Sequence, residues 1–183
     1  MKTVEYIAFP DRKYQIIYAD PPWTYKDKCH AGERGVEYKY PTMNIEDIKN
    51  LPVHQLVADD CLLFLWVTFP LLQEGLDTLR AWGFQYKTIG FNWVKTNRKS
   101  EGLFWGMGNW TRSNSELCLL GVKGKPKRQS ASVHSVVLDP IGKHSKKPDI
   151  IREKIVSLCG DLPRIELFAR NVTPGWDVWG NEV

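Results

Sequence analysis

Cysteine is scarce in this sequence, and neither a long apolar run nor a charged leader is present. Four cysteines occur among the 183 residues, and no two of them have Cys-x-x-Cys spacing. Cys29 and His30 are adjacent, but a zinc site needs a second pair of ligands at suitable spacing, so we expect no metal. No apolar stretch approaches the roughly 18 residues of a membrane span. These absences predict a protein of the reducing cytoplasm that does not contact a membrane.

The sequence also lacks a large excess of charge of one sign. Lys and Arg number 25 and Asp and Glu number 21, which gives a formal net charge of +4. Such a mild excess permits a polyanionic partner without requiring one. Basic residues gather in two clusters, at 123–128 and at 143–147. A solvated surface explains runs of this kind more often than nucleic acid does, so charge alone does not identify a partner.

Internal repeats, low-complexity tracts and linkers are absent too, and we expect one domain over residues 1–183. What the chain does contain is a series of short apolar runs that alternate with amphipathic segments. We predict strands at residues 15–19, 61–66, 84–94, 116–122 and 164–168. We predict helices that begin near Asn44, Pro70 and Pro148, the last two ending at Gly83 and Gly160. This pattern is typical of an α/β fold with a mostly parallel, doubly wound sheet.

The segment Asp20-Pro21-Pro22-Trp23 directly follows the first predicted strand. Ligands of doubly wound sheets bind beyond the carboxyl ends of the strands. Each proline fixes its own φ and restricts the residue before it, which holds the Asp20 carboxylate and the Pro21 carbonyl rigidly. Two such acceptors suit the two N–H bonds of a ring-conjugated amine such as N6 of adenine, and Trp23 would stack on the base for about 1–3 kcal/mol. The alternative is that Asp-Pro-Pro is a turn and Trp23 a core side chain.

With these residues in place, the sequence resembles the MT-A70 family of adenine N6 methyltransferases from about Tyr14 to Glu182. Eight blocks stand in the family's order: ADPPW (19–23), YPTM (40–43), LFLWVT (63–68), WVKTN (93–97), GNWTRSNSELCLLGVKG (108–124), HSKKP (144–148), IELFAR (165–170) and GWDVWGNE (175–182). Eight ordered blocks are far more specific than a four-residue motif. A departure is Lys143, where relatives often carry an acidic residue.

The resemblance implies a Rossmann-like methyltransferase fold in permuted motif order, with S-adenosylmethionine as the methyl donor. It places Asp20, Pro21, Pro22 and Trp23 at the adenine, with Asp20 also near the donor. The cofactor-binding residues that it implies are Lys147, toward the methionine carboxylate; Phe168, Arg170 and Asn171, along the cofactor; and Asn181 and Glu182, at the ribose. The chemistry is suitable, because an ammonium pairs with a carboxylate and polar side chains bind hydroxyls. The alternatives are a surface role for Arg170 and a core role for Phe168.

Two long polar and aromatic segments, residues 24–43 and 95–115, are predicted to be loops. The resemblance implies that the block around Tyr40 and the loop before Lys147 flank the catalytic pocket. Because no recognition domain is appended, we expect target choice to come from these loops, from a partner, or from a second copy of the chain in a homodimer. The candidate substrate-binding residues are Tyr40, Lys95, Asn97, Trp110 and Arg112. Cations among them would contact phosphates, which position a substrate without reading its sequence.

Four alternatives compete with an adenine N6 methyltransferase of DNA. Cytosine N4 is also a ring-conjugated amine, although an aspartate before Pro-Pro in this family favours adenine. RNA is the alternative polymer. We expect DNA, because a small chain without further domains is typical of bacterial and phage enzymes. The expected location is therefore the cytoplasm of a bacterial or phage-infected cell. A noncatalytic nucleic-acid-binding partner subunit would lack the catalytic aspartate or its prolines. A dinucleotide-dependent oxidoreductase is excluded, because Gly106-Met107-Gly108 is not followed by a third glycine.

Overall fold

The computed structural model describes residues 8–24, 43–108, 110–142 and 146–183. The predictions for Tyr40, for Cys29 with His30, and for Lys143 lie outside these ranges. The strands within them are β1 (Tyr14–Ala19), β2 (Val57–Val67), β3 (Gln85–Thr96), β4 (Ser115–Lys123), β5 (Val136–Pro140), β6 (Arg164–Leu167) and β7 (Asp177–Trp179). The helices are α1 (Ile45–Asn50), α2 (Leu72–Ala81) and α3 (Ile150–Cys159), with 3₁₀ turns at Val53–Leu56 and Phe69–Leu71.

One sheet contains all seven of these strands, in the order β5-β3-β4-β2-β1-β6-β7. β1 lies between β2 and β6 and is parallel to both. β3 pairs with β5 in parallel, as β6 does with β7. β4 runs antiparallel to its two neighbours, β2 and β3. The prediction of a mostly parallel α/β sheet is therefore confirmed.

The antiparallel orientation of β4 follows from its connection to β3. Residues 97–114 join these adjacent strands without a crossover helix in their described part, and a parallel pair would need such a crossover. As a result β4 begins at the edge where β3 ends, with Ser115 beside Val94. The apolar pattern of residues 116–122 did not distinguish the two orientations.

Helices cover both faces of the sheet, as the doubly wound prediction requires. Side chains alternate along β1, so Ile17 belongs to the core that contains Ile48 of α1 and Leu79 of α2. Ile16 belongs to the opposite core, which contains Ile151 of α3. All five side chains are fully buried. None of the helices in the described ranges is long and apolar enough to cross a lipid bilayer.

Local signals set the helix ends close to where they were predicted. Asn44 caps α1, and its side chain accepts a hydrogen bond from the Glu46 N–H at 3.1 Å. Gly160 ends α3 with a φ of 95°, a conformation that favours glycine. β5 and β7 were not predicted. β7 has only three residues, and β5 is an edge strand whose Val136 and Leu138 are exposed, so it lacks a buried apolar run.

Candidate active site

Several chain segments meet at the carboxyl end of β1, the edge where the sequence predicts the site. Asp20 directly follows β1, and Phe168 directly follows β6, whose last residue is in register with that of β1. β4 runs the other way, so its second residue, Glu116, lies at the same edge beside Trp93 of β3. Lys147, from the segment before α3, reaches both carboxylates. The antiparallel strand therefore supplies a charged group that a parallel strand would place at the far edge.

Four side chains of alternating charge form a continuous row at this edge, which we call the ion chain: Lys95, Glu116, Lys147 and Asp20. Lys147 Nζ lies 2.9 Å from Asp20 Oδ2 and 3.1 Å from Glu116 Oε2. Lys95 Nζ lies 2.5 Å from Glu116 Oε1. The side chains of Lys147 and Glu116 are 9% and 11% exposed, whereas Asp20, at the end of the row, is 26% exposed. Solvent therefore reaches the terminal carboxylate most easily.

Burial and ion pairing act in opposite directions on the ion chain. Burial raises the pKa of Asp20 above its ordinary value, and the Lys147 ammonium offsets only part of this rise. Burial would also raise the pKa of Glu116, but Lys147 and Lys95 hold it below its ordinary value. Burial would lower the pKa of Lys147, yet the two carboxylates hold it above its ordinary value. Glu116 and Lys147 are therefore charged at neutral pH, and Asp20 is the carboxylate that most readily accepts a proton.

The loop after β1 is fixed by its own backbone and by Trp23. The Pro21 carbonyl accepts a hydrogen bond from the Trp23 N–H, and the Pro22 carbonyl accepts one from the Met43 N–H, both at 2.9 Å. The Trp23 indole N–H donates to the Trp66 carbonyl at 2.9 Å, and only 6% of Trp23 is exposed. As placed, Trp23 is the core side chain that the sequence analysis gave as the alternative. Its stacking on a base stays a prediction.

Trp66 links the loop to the ion chain. Its carbonyl holds Trp23, its indole N–H donates to the Tyr18 hydroxyl at 2.7 Å, and the Lys147 ammonium lies 5.5 Å from its ring centroid. Trp66 is fully buried. Trp66 therefore supports the loop through its backbone carbonyl, and its ring lies against the ammonium that pairs with Asp20.

The residues assigned to the cofactor gather at the ends of β6 and β7. Phe168 has a φ of 61°, which is uncommon for a residue other than glycine, and its ring meets Trp179 edge-on at 5.5 Å. Arg170 Nε lies 3.8 Å from Glu182 Oε1, and the charge of Arg170 also acts on Asp20. Asn171 and Asn181 lie exposed in the same two turns. The five predicted positions thus lie in the turns that follow β6 and β7, at the same edge of the sheet as Asp20.

Two of the predicted substrate-binding residues have partners within the chain. Lys95 belongs to β3 rather than to the loop after it, pairs with Glu116, and lies 5.0 Å from the Trp93 ring centroid. The Asn97 side-chain amide donates to the Leu103 carbonyl at 3.2 Å, so it shapes the turn that follows β3. A contact of either residue with substrate stays a prediction.

The connection between β3 and β4 exposes apolar side chains beside the cationic Arg112. Trp110 is 100% exposed, Met107 92% and Trp105 62%. The Arg112 guanidinium is exposed and lies 3.9 Å from the Met107 sulfur. Because the loop joins the ends of β3 and β4, these groups flank the edge that carries the ion chain.

Glu116 is the functional candidate that the sequence analysis missed. It was treated only as the first residue of an apolar strand. A signal was present, since a glutamate that opens the run Glu116-Leu-Cys-Leu-Leu is a charge in a segment otherwise predicted to be buried, and buried charges are nearly always paired. Among the described residues, no group of three His, Cys, Asp or Glu side chains is arranged to hold a metal ion.

The chain is similar to known methyltransferases over most of its length. The MT-A70 family model matches residues 14–182. The type II methyltransferase M.MunI of Mycoplasma sp. is 35% identical over 95% of this chain and 79% of its own length. The N(6)-adenosine-methyltransferase MT-A70-like protein of Drosophila melanogaster and the catalytic subunit METTL3 of Homo sapiens are each 34% identical over 93% of this chain. The chain spans only 27% and 28% of those two proteins.

Proposed function

We propose that this chain, which belongs to the MT-A70 family of adenine N6 methyltransferases, uses S-adenosylmethionine to methylate adenine within nucleic acid, with DNA as the preferred substrate. The observation that carries this proposal is the Asp20 carboxylate, paired with Lys147 at the carboxyl edge of the sheet and followed by the rigid Pro21 carbonyl. These are the two acceptors that the amine requires.

The protein's contribution to the reaction is to orient the amine. One N–H of N6 donates to Asp20 Oδ1, the oxygen other than the one bonded to Lys147. The second N–H donates to the Pro21 carbonyl, which has two lone pairs and uses one for the Trp23 N–H. Both bonds draw the nitrogen lone pair out of conjugation and aim it at the methyl group, and such positioning supplies much of the catalysis.

When bound, S-adenosylmethionine supplies a methyl group on a positively charged sulfur. After transfer to N6 the amine carries one proton too many. The Asp20 carboxylate is hydrogen-bonded to that nitrogen in this arrangement, and its raised pKa suits it to accept the proton. The negative charge of Asp20 also favours the positive charge that develops on N6.

The ends of β6 and β7 fit a ligand that carries hydroxyl groups. Gly180 allows the two turns to approach each other, because a Cβ at this position would lie 2.4 Å from the Ala169 carbonyl oxygen. Amide and carboxylate groups around this contact suit ribose hydroxyls. The side chains that we propose as cofactor ligands are Phe168, Arg170, Asn171, Asn181 and Glu182.

One observation favours DNA over RNA. The type II methyltransferase resembles this chain over most of its own length, and type II is a designation of DNA-modifying enzymes. A duplex substrate would require base flipping, at a cost on the order of a few kcal/mol. The exposed Trp110 and Arg112 are suited to stack on neighbouring bases and to contact phosphates; recognition through a second copy of the chain is the alternative.

The test combines the native protein with labelled S-adenosylmethionine and matched pools of DNA and RNA, and identifies the methylated nucleosides by mass spectrometry. Asp20→Asn is the informative variant because it keeps the size of the side chain and removes its charge. Asp11→Asn, which changes an exposed aspartate at a distance from the site, is the matched control. We expect N6-methyladenine with the native protein and the control, and a loss of at least about 10²-fold with Asp20→Asn.

Other products would change the proposal. Methylated cytosine would move the acceptor from adenine N6 to cytosine N4. A higher rate on the RNA pool would reverse the preference for DNA. The absence of product from both pools would contradict a nucleic-acid acceptor.

A further inference from the structure

The ion chain also bears on the role of Lys147. The family resemblance assigns this lysine to the carboxylate of the cofactor. In the structure its ammonium lies between two carboxylates of the protein, at 2.9 Å from Asp20 and 3.1 Å from Glu116, and 9% of the side chain is exposed. An ammonium has three N–H donors, and two of them are accounted for by these contacts. These two contacts hold the Lys147 ammonium inside the protein, beside Asp20.

We propose that Glu116 is a positioning residue, which holds Lys147 so that the lysine orients the Asp20 carboxylate toward the amine. This proposal rests on the proposed function, since it gives the second carboxylate a part in the same reaction. Glu116 would act through Lys147 and would not touch the substrate.

The geometry explains why a second carboxylate is needed. A lysine side chain is long and flexible, and paired with Asp20 alone its ammonium would be free to bridge both oxygens of that carboxylate. Glu116 Oε2 holds the ammonium through a second contact, and the ammonium contacts Oδ2 of Asp20. Oδ1 then remains as the acceptor for an amine N–H.

Glu116 is itself held in place on two sides. It lies in β4 in register with Trp93 of β3, so its backbone is fixed by the centre of the sheet. Its other oxygen accepts a hydrogen bond from Lys95, whose ammonium lies over the Trp93 ring. Lys95 thus has a role inside the protein, and the substrate contact predicted for it stays a prediction.

The charge pattern predicts a kinetic signature that a purely structural role would not give. The charged groups that act on Asp20 are Lys147, Glu116 and Arg170, and the Cys118 thiol lies close enough to interact with it. Glu116 contributes a negative charge, which disfavours ionisation of Asp20. Removing that charge lowers the pKa of Asp20, so the acid limb of the pH profile of kcat should move to lower pH.

The test measures kcat, the KM for nucleic acid and the Kd for S-adenosylmethionine in Glu116→Gln, which keeps the shape of the side chain but not its charge. We expect kcat to fall by about 10²-fold, as for a misplaced catalytic group, while the Kd changes by less than about threefold. Glu116→Asp retains the charge and should recover part of kcat. Glu153→Gln, on the exposed side of α3, is the matched control and should behave as the native protein.

Three outcomes would overturn the proposal. Unchanged kcat in Glu116→Gln would remove Glu116 from catalysis. A large loss of cofactor affinity with kcat retained would assign Lys147 and Glu116 to the cofactor. An acid limb that does not move would leave Glu116 with a structural role.

Failure of the proposed function can be recognised separately, because the native protein would then methylate none of the pools. In that case the contact between Glu116 and Lys147 is tested by urea unfolding, with a double-mutant cycle of Glu116→Gln and Lys147→Met. We expect a coupling of at least about threefold in the unfolding constant. The absence of coupling would overturn the proposal without reference to activity.

Discussion

Two buried ionic clusters lie at the sheet, and they differ in how they end. Arg152 of α3 donates two parallel hydrogen bonds to Glu166 of β6, from Nε to Oε2 at 2.7 Å and from Nη2 to Oε1 at 2.6 Å. We call these two residues the closed pair because both oxygens of Glu166 are bonded; Nη1 of Arg152 also donates to the exposed Asp149, at 3.0 Å. The ion chain is open: Lys147 is shared between Glu116 and Asp20, and the row ends in a carboxylate that is 26% exposed. The closed pair satisfies both oxygens of Glu166, whereas the open chain leaves an acceptor at the surface.

The difference shows how similar chemistry serves two purposes in one small domain. A bidentate arginine pair has a fixed geometry and occupies both oxygens of its carboxylate. Lys147, which is shared by two carboxylates, binds one oxygen of each, and Asp20 lies at the edge where the turns after β6 and β7 begin. The first arrangement joins α3 to the sheet, and the second is suited to position a substrate.

Loss of the shared ammonium is the change expected to have the largest effect. Lys147→Met leaves Asp20 and Glu116 as neighbouring like charges and removes the group that orients Asp20. We expect kcat for N6-methyladenine formation to fall by more than about 10²-fold, together with a lower melting temperature. The measurement is the steady-state rate below the unfolding transition, with the exposed neighbour substituted as Lys146→Met for control. If Lys147→Met turned over substrate at the native rate, the ion chain would not differ from the closed pair in its effect on catalysis.

The closed pair should affect stability and leave catalysis unchanged. Arg152→Met leaves the Glu166 carboxylate, with a side chain 8% exposed, without its arginine. Breaking a buried pair from one side destabilises by about 3 kcal/mol, which urea unfolding would measure. Adding Glu166→Gln should recover much of this loss, because it removes the buried charge. If Arg152→Met lowered kcat as Lys147→Met does, the pair would belong to the site.

A smaller effect is expected for the exposed loop beside the ion chain. Trp110→Ala removes a fully exposed ring, and loss of one stacking contact costs roughly 1–3 kcal/mol. The KM for nucleic acid should rise by about tenfold, and the Kd for S-adenosylmethionine should not change. Tyr86→Ala, an exposed aromatic residue near the opposite end of β3, is the control. Equal KM values for the two variants would remove Trp110 from the substrate surface.

The smallest effect concerns the pH dependence of stability. Because ion pairing holds the pKa of Glu116 below its ordinary value of 4.5, its ionised form stabilises the fold above that pH. The contribution is lost as the pH falls through the lower pKa of the folded state. The difference in unfolding free energy between native protein and Glu116→Gln should therefore narrow as urea titrations are moved from pH 7 toward pH 3. A constant difference would show that the charge of Glu116 does not contribute.

Much of the fold was accessible from the sequence because its signals are local. A buried strand that runs into two prolines must stop, so Asp20 had to lie at the end of β1. Asn44 and Gly160 marked helix ends through hydrogen bonding and backbone conformation, which depend on few neighbours. The last two family blocks, IELFAR and GWDVWGNE, indicated where β6 and the two turns after it lie in the chain.

The rest depends on contacts between distant segments. An apolar run does not encode whether a strand is parallel or antiparallel, so the orientation of β4 could not be predicted. The place of Glu116 at the active edge follows from that orientation. Trp23 was predicted to stack on a base, but the position of its indole N–H is set by the Trp66 carbonyl, 43 residues away.

The central claim is that Asp20 enables methyl transfer to adenine N6. The most direct measurement is the single-turnover rate of N6-methyladenine formation on DNA, with native protein and Asp20→Asn at saturating S-adenosylmethionine. The account predicts N6-methyladenine from the native protein and a rate lower by at least about 10²-fold from Asp20→Asn, with cofactor binding retained. Equal rates for the two proteins, or a methylated base other than adenine, would contradict it.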